Sequence, residues 1–315
     1  MKTRVCHNIA VLILLAAAVS LTGCQSGGSN EDSTTQGTIA CISSEDMYPV
    51  MDTIVHGFQG MYEKAHVIHS SASVRGAVAA LLNDSVKIIA ISRPFNAAEE
   101  SVITKFKLEI ERDSIALDGV AVLVNEKNPT VGLTVTQLRR ILQGKTTTWK
   151  QVSPKLPATS VMVALVLYSG IHEYLNTRIL RGTPLNAFVE ACASSGKVLE
   201  SVAAHPGVIG FVGFSWLHYN TNIFDSPAGT RLLNIADSGY AQEMTPDSLE
   251  FFRPHPAYVY RHYYPLPRTL YLYSRNLGRG VGLGFASFLK GNEGQKIFTE
   301  NGLVPATRKV RLVRN

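Results

Sequence analysis

The sequence predicts an α/β fold organised as two lobes, and three observations support this prediction. Its 315 residues are 45% hydrophobic and 17% charged, a globular composition that excludes disordered and coiled-coil chains. Short apolar runs typical of strands alternate with longer segments of helical period from residue 38 onward. The chain after residue 23 approaches the size at which a single core stops growing, so we expect two.

Each predicted strand is a short apolar run, and each predicted helix is a longer segment that follows one. A capping box of Thr134 and Gln137 marks one helix start, and Gly144 marks its end. The predicted strands are 38–42, 66–69, 86–91, 120–124, 161–166, 208–211 and 269–273, and the predicted helices are 48–64, 74–83, 134–143, 170–180 and 283–300.

We expect the chain to cross from one lobe to the other twice. We place one crossover near 118–124 and the other near 258–267, where a segment rich in Pro and Tyr separates two patterns. The prediction is one lobe from 38–122 with 258–315, and a second lobe from 123–257.

The N-terminus has the pattern of a lipoprotein signal. Lys2 and Arg4 precede an apolar run at 9–19, and Leu21-Thr22-Gly23-Cys24 forms a lipobox. The run is shorter than the roughly 20 residues that a membrane-spanning helix needs. We therefore expect cleavage after residue 23, lipidation of Cys24, a flexible tether at 24–37 and an extracytoplasmic, membrane-anchored protein.

The charge of the chain argues against nucleic acid as a partner. The net charge of +6 is mild and no Lys/Arg block exceeds a pair, so nucleic acid is not expected.

Two cysteines remain in the body of the mature chain, Cys41 and Cys192. They lie far apart in apolar segments, and we interpret them as buried free thiols.

Three serine-containing loops lie between strands and helices. They are Ser43-Ser44-Glu45-Asp46, Ser70-Ser71-Ala72-Ser73 and Tyr168-Ser169-Gly170, and Ser92-Arg93 follows another strand. The N–H groups of a first helical turn have no intrahelical partner and carry partial positive charge, so each loop suits a small oxyanion. A single serine there is usually a plain cap. Several such loops in one α/β chain favour a binding cleft.

Longer segments resemble the phosphate-binding subunits of ABC importers. The resemblance spans nearly all of the mature chain and implies a type II periplasmic-binding-protein fold, in which two α/β lobes joined by two crossover strands close on a solute. It also implies a monomer that works with permease subunits, without cofactor or catalysis. The segments are Ile91-Ser92-Arg93-Pro94-Phe95, 118–125, 133–149, Ile209-Gly210-Phe211-Val212-Gly213, 264–271 and 288–305.

By this resemblance Ser44, Ser73, Ser169 and Gly170 occupy oxyanion-binding positions. The chain departs from the family pattern elsewhere. Leu165 replaces an arginine, Ile171 replaces a threonine, Asp46 replaces another threonine, and the Gly-rich loop has become Ser70-Ser71-Ala72.

Two hypotheses fit these departures. In the first, Arg93 and Ser92 supply the missing charge and hydroxyl, and Asp46 or Glu45 accepts the proton of a protonated oxyanion, which would favour phosphate over sulfate. In the second, the pocket no longer binds phosphate, and the fold serves another ligand or a protein contact, as in a surface interaction protein.

The sequence gives little support to a catalytic or a metal-binding function. Ser169 lacks the glycine of a nucleophile elbow, because Leu167 stands there. Arg139 stands where a P-loop ending at Gly144-Lys145 needs its first glycine. No histidine pair has zinc-site spacing, so we expect no catalytic residue and no metal.

Overall fold

The structure, a computed structural model, describes residues 32–220, 223–237 and 250–307. The predicted signal peptide at 1–23, the lipidation site Cys24 and the tether as far as residue 31 lie outside the described residues. The last part of the tether contacts the body, because the Asp32 carboxylate accepts the backbone N–H of Val281 at 3.0 Å. Within the described ranges no helix combines the length and apolar character needed to cross a bilayer.

The first part of the chain has the predicted alternation of strands and helices. One helix, α3, was not predicted, because none of its residues is fully buried and its apolar face is weak. The elements are β1 (Gly37–Ser44), α1 (Tyr48–Met61), β2 (Ala65–Ala72), α2 (Val74–Leu82), β3 (Ile88–Ile91), α3 (Ala97–Phe106) and β4 (Ile110–Asn125).

The middle of the chain holds shorter elements. The predicted capping box is confirmed, because Thr134 Oγ1 accepts the N–H of Gln137 at 3.0 Å while Gln137 Oε1 accepts the N–H of Thr134 at 2.8 Å. The helix predicted at 170–180 begins as α5 and continues as a π-helical segment, Leu175–Ile179. The elements are β5 (Gly132–Thr134), α4 (Val135–Leu142), β6 (Met162–Leu165), α5 (Gly170–Tyr174), β7 (Val189–Ala191), α6 (Ser195–Ala204), β8 (Val208–Gly213), β9 (Tyr219–Asn220), β10 (Ile223–Phe224), β11 (Thr230–Leu232), β12 (Asn234–Ala236) and α7 (Pro256–Tyr260).

The last part of the chain corrects one prediction. The single helix predicted at 283–300 is wrong, because Gly291 is extended (φ −78°, ψ 176°) and separates two helices. Gly294 then packs on the preceding helix so closely that a Cβ would lie 2.6 Å from Leu289 Cα. The elements are β13 (Pro267–Arg275), α8 (Val281–Lys290), α9 (Asn292–Glu300) and β14 (Val304–Pro305).

The long strand β4 joins the two halves of the sheet. Its first part, Ile110–Gly119, pairs with β13, and its second part, Val120–Val124, pairs with β8. The strand order is β2-β1-β3-β13-β4-β8-β6-β7, with β11 and β14 also pairing with β4. Since β1 and β3 run opposite to β6 and β8, the carboxyl ends of the two sets face each other across the middle of β4.

Each half of the sheet has its own core. One core contains Ile115 and Ala116 of β4, and another contains the 120–124 part of the same strand. Tyr264 and Leu266 pack into the second core. We retain the division into lobes as a proposal, and this packing would move its second boundary from 257/258 toward residue 266.

The two cysteines are free thiols, as predicted. Cys41 is buried, and burial raises its pKa to about 12, so the thiol stays protonated at neutral pH. Cys192 is only partly buried, which corrects the expectation that both are enclosed.

Candidate ligand-binding site

Four predicted site residues meet where the two halves of the sheet face each other. Ser44 ends β1 and Asp46 follows it, Ser92 follows β3, and Gly170 begins α5. The Gly170 N–H donates to Asp46 Oδ1 at 3.3 Å. A Cβ on Gly170 would lie 2.7 Å from both Asp46 carboxylate oxygens and would overlap the Ser92 hydroxyl. These three residues are therefore in direct contact, and the glycine is required by the space.

The Asp46 carboxylate is enclosed by hydrogen-bond donors. Burial by itself raises the pKa of this carboxyl, but the positive charge of Arg268 and the hydrogen bonds of its neighbours together outweigh burial and lower the pKa. The hydroxyls of Ser92 and Ser44 lower the same pKa further. Neither hydroxyl forms a well-aligned hydrogen bond with another described residue. Two buried hydroxyls thus remain available beside a carboxylate that stays ionised.

Arg268 of β13 supplies the positive charge at the site. Its guanidinium pairs with Asp46 through Nη1 and with Asp118 through Nη2, at 2.6 Å, and Nε, at 2.9 Å. The three side chains are 1%, 0% and 0% exposed, respectively. Burial lowers the pKa of Arg268, but the two carboxylates outweigh it and raise that pKa overall.

Arg268 lies in the family-like segment 264–271 but is not among the predicted site residues. A signal was present, because Asp118 and Arg268 each interrupt an apolar strand. Charged side chains are almost never buried unless they are paired. Two opposite charges that border predicted apolar strands therefore indicate an ion pair.

Arg93 lies beside the site and binds other groups. Its guanidinium donates to Glu99 at 2.7 and 2.8 Å, to the Pro94 carbonyl at 2.9 Å, and to Glu173 of α5. Four of its five N–H donors are thus engaged. Burial lowers the pKa of Arg93, but the two glutamates raise it overall. The fork predicted to hold a ligand is directed at carboxylates of this chain.

Two other predicted residues act as helix caps. Ser73 is exposed, and its hydroxyl accepts the Gly76 N–H at 3.1 Å. Ser169 is buried; its hydroxyl donates to the Val166 carbonyl at 2.7 Å and accepts the His172 N–H at 3.2 Å. The structure therefore brings Ser169 next to the site through Gly170 but does not bring Ser73 to Asp46.

The residues at the family's other positions are apolar and belong to the core. Leu165 ends β6 and Ile171 lies in α5, and both side chains are buried. Neither side chain offers a hydrogen bond to an anion.

Glu45 links the first half of the chain to α6. Its carboxylate accepts the backbone N–H of Ser195 at 2.6 Å and the Ser195 hydroxyl at 3.0 Å. Burial and the negative charge of Asp46 together raise the pKa of Glu45, although these hydrogen bonds lower it. Trp216 Nε1 donates to the Glu45 carbonyl at 3.3 Å, and the Ser215 hydroxyl donates to the Asp46 carbonyl at 3.2 Å. The segment that carries Asp46 is thus held from the opposite half.

A cavity of about 440 Å³ adjoins the site and is lined by Ser92, Gly170, Arg268 and Tyr271, among others. A larger cavity of about 790 Å³ lies elsewhere, beside Ile141 and Phe188. The smaller cavity borders the buried guanidinium and the Ser92 hydroxyl, so it offers a ligand a route to the site. Across the described parts of the chain, no three His, Cys, Asp or Glu side chains are grouped as a metal site.

Known proteins share this architecture. The chain is 24% identical to the phosphate-binding protein PstS of Staphylococcus saprophyticus over 278 residues, which is 88% of this chain and 82% of that protein. A protein of Clostridium perfringens solved with bound phosphate superposes with a TM-score of 0.70 at 19% identity, covering 86% of this chain and 100% of the other. An ABC-type phosphate transport receptor of Vibrio cholerae gives a TM-score of 0.61 at 19% identity, covering 85% and 100%.

These likenesses confirm the predicted type II periplasmic-binding-protein fold and the resemblance to phosphate-binding members. Residues 28–293 match the family described as PBP superfamily domain, which is most of the chain. The protein therefore belongs to the PBP superfamily.

Proposed function

We propose that this protein is an extracytoplasmic solute-binding protein that captures phosphate or a related small oxyanion and delivers it to an ABC permease. One observation carries the proposal: donors from both halves of the chain surround the Asp46 carboxylate. A carboxylate is itself a pair of negatively charged oxygens. The site therefore has the donors that a free oxyanion needs.

The proposed role is binding without catalysis. Closure of the two lobes would exclude water from the ligand, and each hydrogen bond to the anion would strengthen because the local dielectric constant falls. In this proposal Arg268 provides charge, Gly170 a backbone N–H, and Ser44 and Ser92 hydroxyls. We propose a monomer that meets its permease subunits as the closed form.

Calorimetric titration with phosphate and sulfate tests the proposal. We expect heat of binding with phosphate for the wild type and about tenfold or more weaker binding for Ser92→Ala, because a hydrogen bond to a charged group contributes about 1.5–3 kcal/mol. Ser73→Ala is the matched control, since the Ser73 hydroxyl is exposed and caps a helix. Its affinity should equal that of the wild type. Absence of binding to phosphate, sulfate and arsenate by the wild type would contradict the proposal.

Membrane attachment is a separate part of the proposal. Cys24 would carry a diacylglycerol, and further acylation would make anchoring durable, since one chain of myristoyl length binds membranes only marginally. Cys24→Ser should release the protein from the membrane fraction of cells and abolish incorporation of labelled palmitate. Retention of both properties would refute lipidation at this residue.

The Asp46 carboxylate also favours a second function, that of a surface interaction protein whose pocket holds no solute. The group is buried and takes the donors that a solute would use. The same titrations distinguish the two functions, because this one predicts no heat with any small oxyanion.

A further inference from the structure

The strongest candidate for a new role is Asp46, which already occupies the donor set of the site. Its Oδ1 accepts the Gly170 N–H, its Oδ2 pairs with Arg268 Nη1, and the Ser44 and Ser92 hydroxyls lie against it. These are the groups proposed to hold a free oxyanion. A second anion at the same atoms would have to replace this carboxylate.

The space around the carboxylate leads to the same conclusion. A Cβ added to Gly170 would lie only 2.7 Å from each carboxylate oxygen of Asp46, and the Asp46 side chain is 0% exposed. No gap separates the carboxylate from the first turn of α5. A tetrahedral anion would need the volume that Asp46 now fills.

The charges at the site also disfavour an added anion. One guanidinium, Arg268, faces two carboxylates, Asp46 and Asp118. A phosphate brought into this buried cluster would meet a net negative charge, and repulsion between like charges is large where water is excluded. One of the two carboxylates must therefore move or share a proton with the anion, and the lack of space beside Asp46 favours movement.

Asp118 is the fixed partner of Arg268. Its Oδ2 accepts two hydrogen bonds from Arg268, and its Oδ1 accepts the N–H of Gly119 at 2.7 Å and of Phe214 at 3.1 Å. Asp46 lies on a short 3₁₀ turn, Glu45–Met47, that follows β1. A side-chain rotation on that turn would release Asp46 while leaving Arg268 paired.

We propose that Asp46 is a tethered carboxylate that fills the oxyanion site of the closed, ligand-free protein and is displaced when phosphate binds. This inference rests on the proposed function. Because the carboxylate is attached to the chain, its effective concentration at the site is high. Asp46 thereby weakens phosphate binding and allows the lobes to close without solute.

The test is titration of phosphate into the wild type, Asp46→Ser and Asp46→Asn. Serine empties the site and adds a hydroxyl, and Arg268 stays paired with Asp118, so the variant should fold. We expect Asp46→Ser to bind phosphate at least tenfold more tightly than the wild type. Asp46→Asn removes the charge but keeps the bulk, so its gain should be smaller. Asp84→Ser, at a half-exposed carboxylate paired with Lys87, should leave the affinity unchanged.

Small-angle X-ray scattering measures how compact the protein is, and a purely structural role of Asp46 would not change how this compactness responds to phosphate. The ligand-free wild type should be as compact as the phosphate-saturated protein. Asp46→Ser should be more extended without phosphate and should contract when phosphate is added.

The outcomes separate the inference from the proposed function. If the wild type binds phosphate and neither Asp46 variant binds it more tightly, the inference is overturned and the proposed function stands. If the wild type, shown to be folded by circular dichroism, binds no phosphate, sulfate or arsenate, the proposed function fails, and the inference fails with it. If Asp46→Ser does not fold, Asp46→Asn alone decides: tighter binding supports the inference, and equal or weaker binding refutes it.

Discussion

Arg93 and Arg268 each bind two carboxylates, yet the two clusters lie in different surroundings. Arg93, Glu99 and Glu173 form the Arg93 cluster, whose side chains are 18%, 13% and 19% exposed. Arg268, Asp46 and Asp118 form the Arg268 cluster, whose side chains are at most 1% exposed. Each cluster has one central guanidinium between two carboxylates, although the exposed Arg75 also lies 3.9 Å from Glu173. The two clusters differ in access to water.

Access to water determines how much free energy is lost when an arginine is separated from its carboxylate partners. At 4 Å, two unit charges interact by about 1 kcal/mol in water and about 4 kcal/mol at the effective dielectric constant near a protein surface. Buried charges also lose hydration, so their partners become obligatory. The Arg93 cluster can open at moderate cost. The Arg268 cluster must always hold an anion, whether a side chain or a ligand.

The largest expected effect follows from breaking the Arg268 cluster. Arg268→Met leaves two buried carboxylates without their cation, and loss of one partner of a buried ion pair costs about 3–5 kcal/mol. Arg93→Met is the matched control, and we expect a loss of about 1 kcal/mol or less, because that cluster is partly solvated. Urea denaturation measures both free energies of unfolding. Equal losses in the two variants would refute the comparison.

The next effect comes from Gly170, whose missing side chain makes room for the Asp46 carboxylate. A methyl group on Gly170 would overlap the Ser92 hydroxyl and press on the Asp46 carboxylate. We expect Gly170→Ala to lower the free energy of unfolding by about 1–3 kcal/mol, as overpacking of a tight site does.

Gly60 of α1 provides the control for that substitution. A Cβ there meets no atom within 4 Å, so Gly60→Ala should stabilise the protein by up to about 1 kcal/mol through helix propensity. Chemical denaturation should give opposite signs for the two alanine variants. A gain in stability for Gly170→Ala would show that the Asp46 segment is free to move aside.

The fold could be predicted wherever the local pattern of apolar residues matches the pattern of burial. The segments from β1 to β3 are apolar runs separated by amphipathic helices, and local pattern was sufficient for them. Helix α3 was missed because it buries no residue completely. The break at Gly291 was missed because the helices on either side are both apolar on one face, and the separation depends on how Gly294 packs on Leu289.

The site could be predicted only in part, for a related reason. Ser44, Ser92 and Gly170 each adjoin the end of a strand or the start of a helix, which is where oxyanion sites form. Arg268 lies 222 positions from Asp46 in the sequence, and nothing local to either residue identifies the other. Arg93 had the right local position, but its partners Glu99 and Glu173 come from two helices whose arrangement only the fold defines.

The smallest expected effect is the coupling inside the Arg93 cluster. In a double-mutant cycle of Arg93→Met and Glu173→Gln, we expect a coupling free energy of about 0.5–1 kcal/mol, since the pair is partly exposed. Because dissolved ions screen solvated charges, the coupling should fall as salt is raised from 0.05 to about 1 M, where the Debye length is about 3 Å. Lys197 and Glu200, an exposed pair on α6, should show smaller coupling under the same conditions. A coupling in the Arg93 cluster that is large and independent of salt would mean that this cluster is closed to water when the lobes meet. Arg93 would then be as permanently engaged as Arg268, and the distinction between the two arginines would disappear.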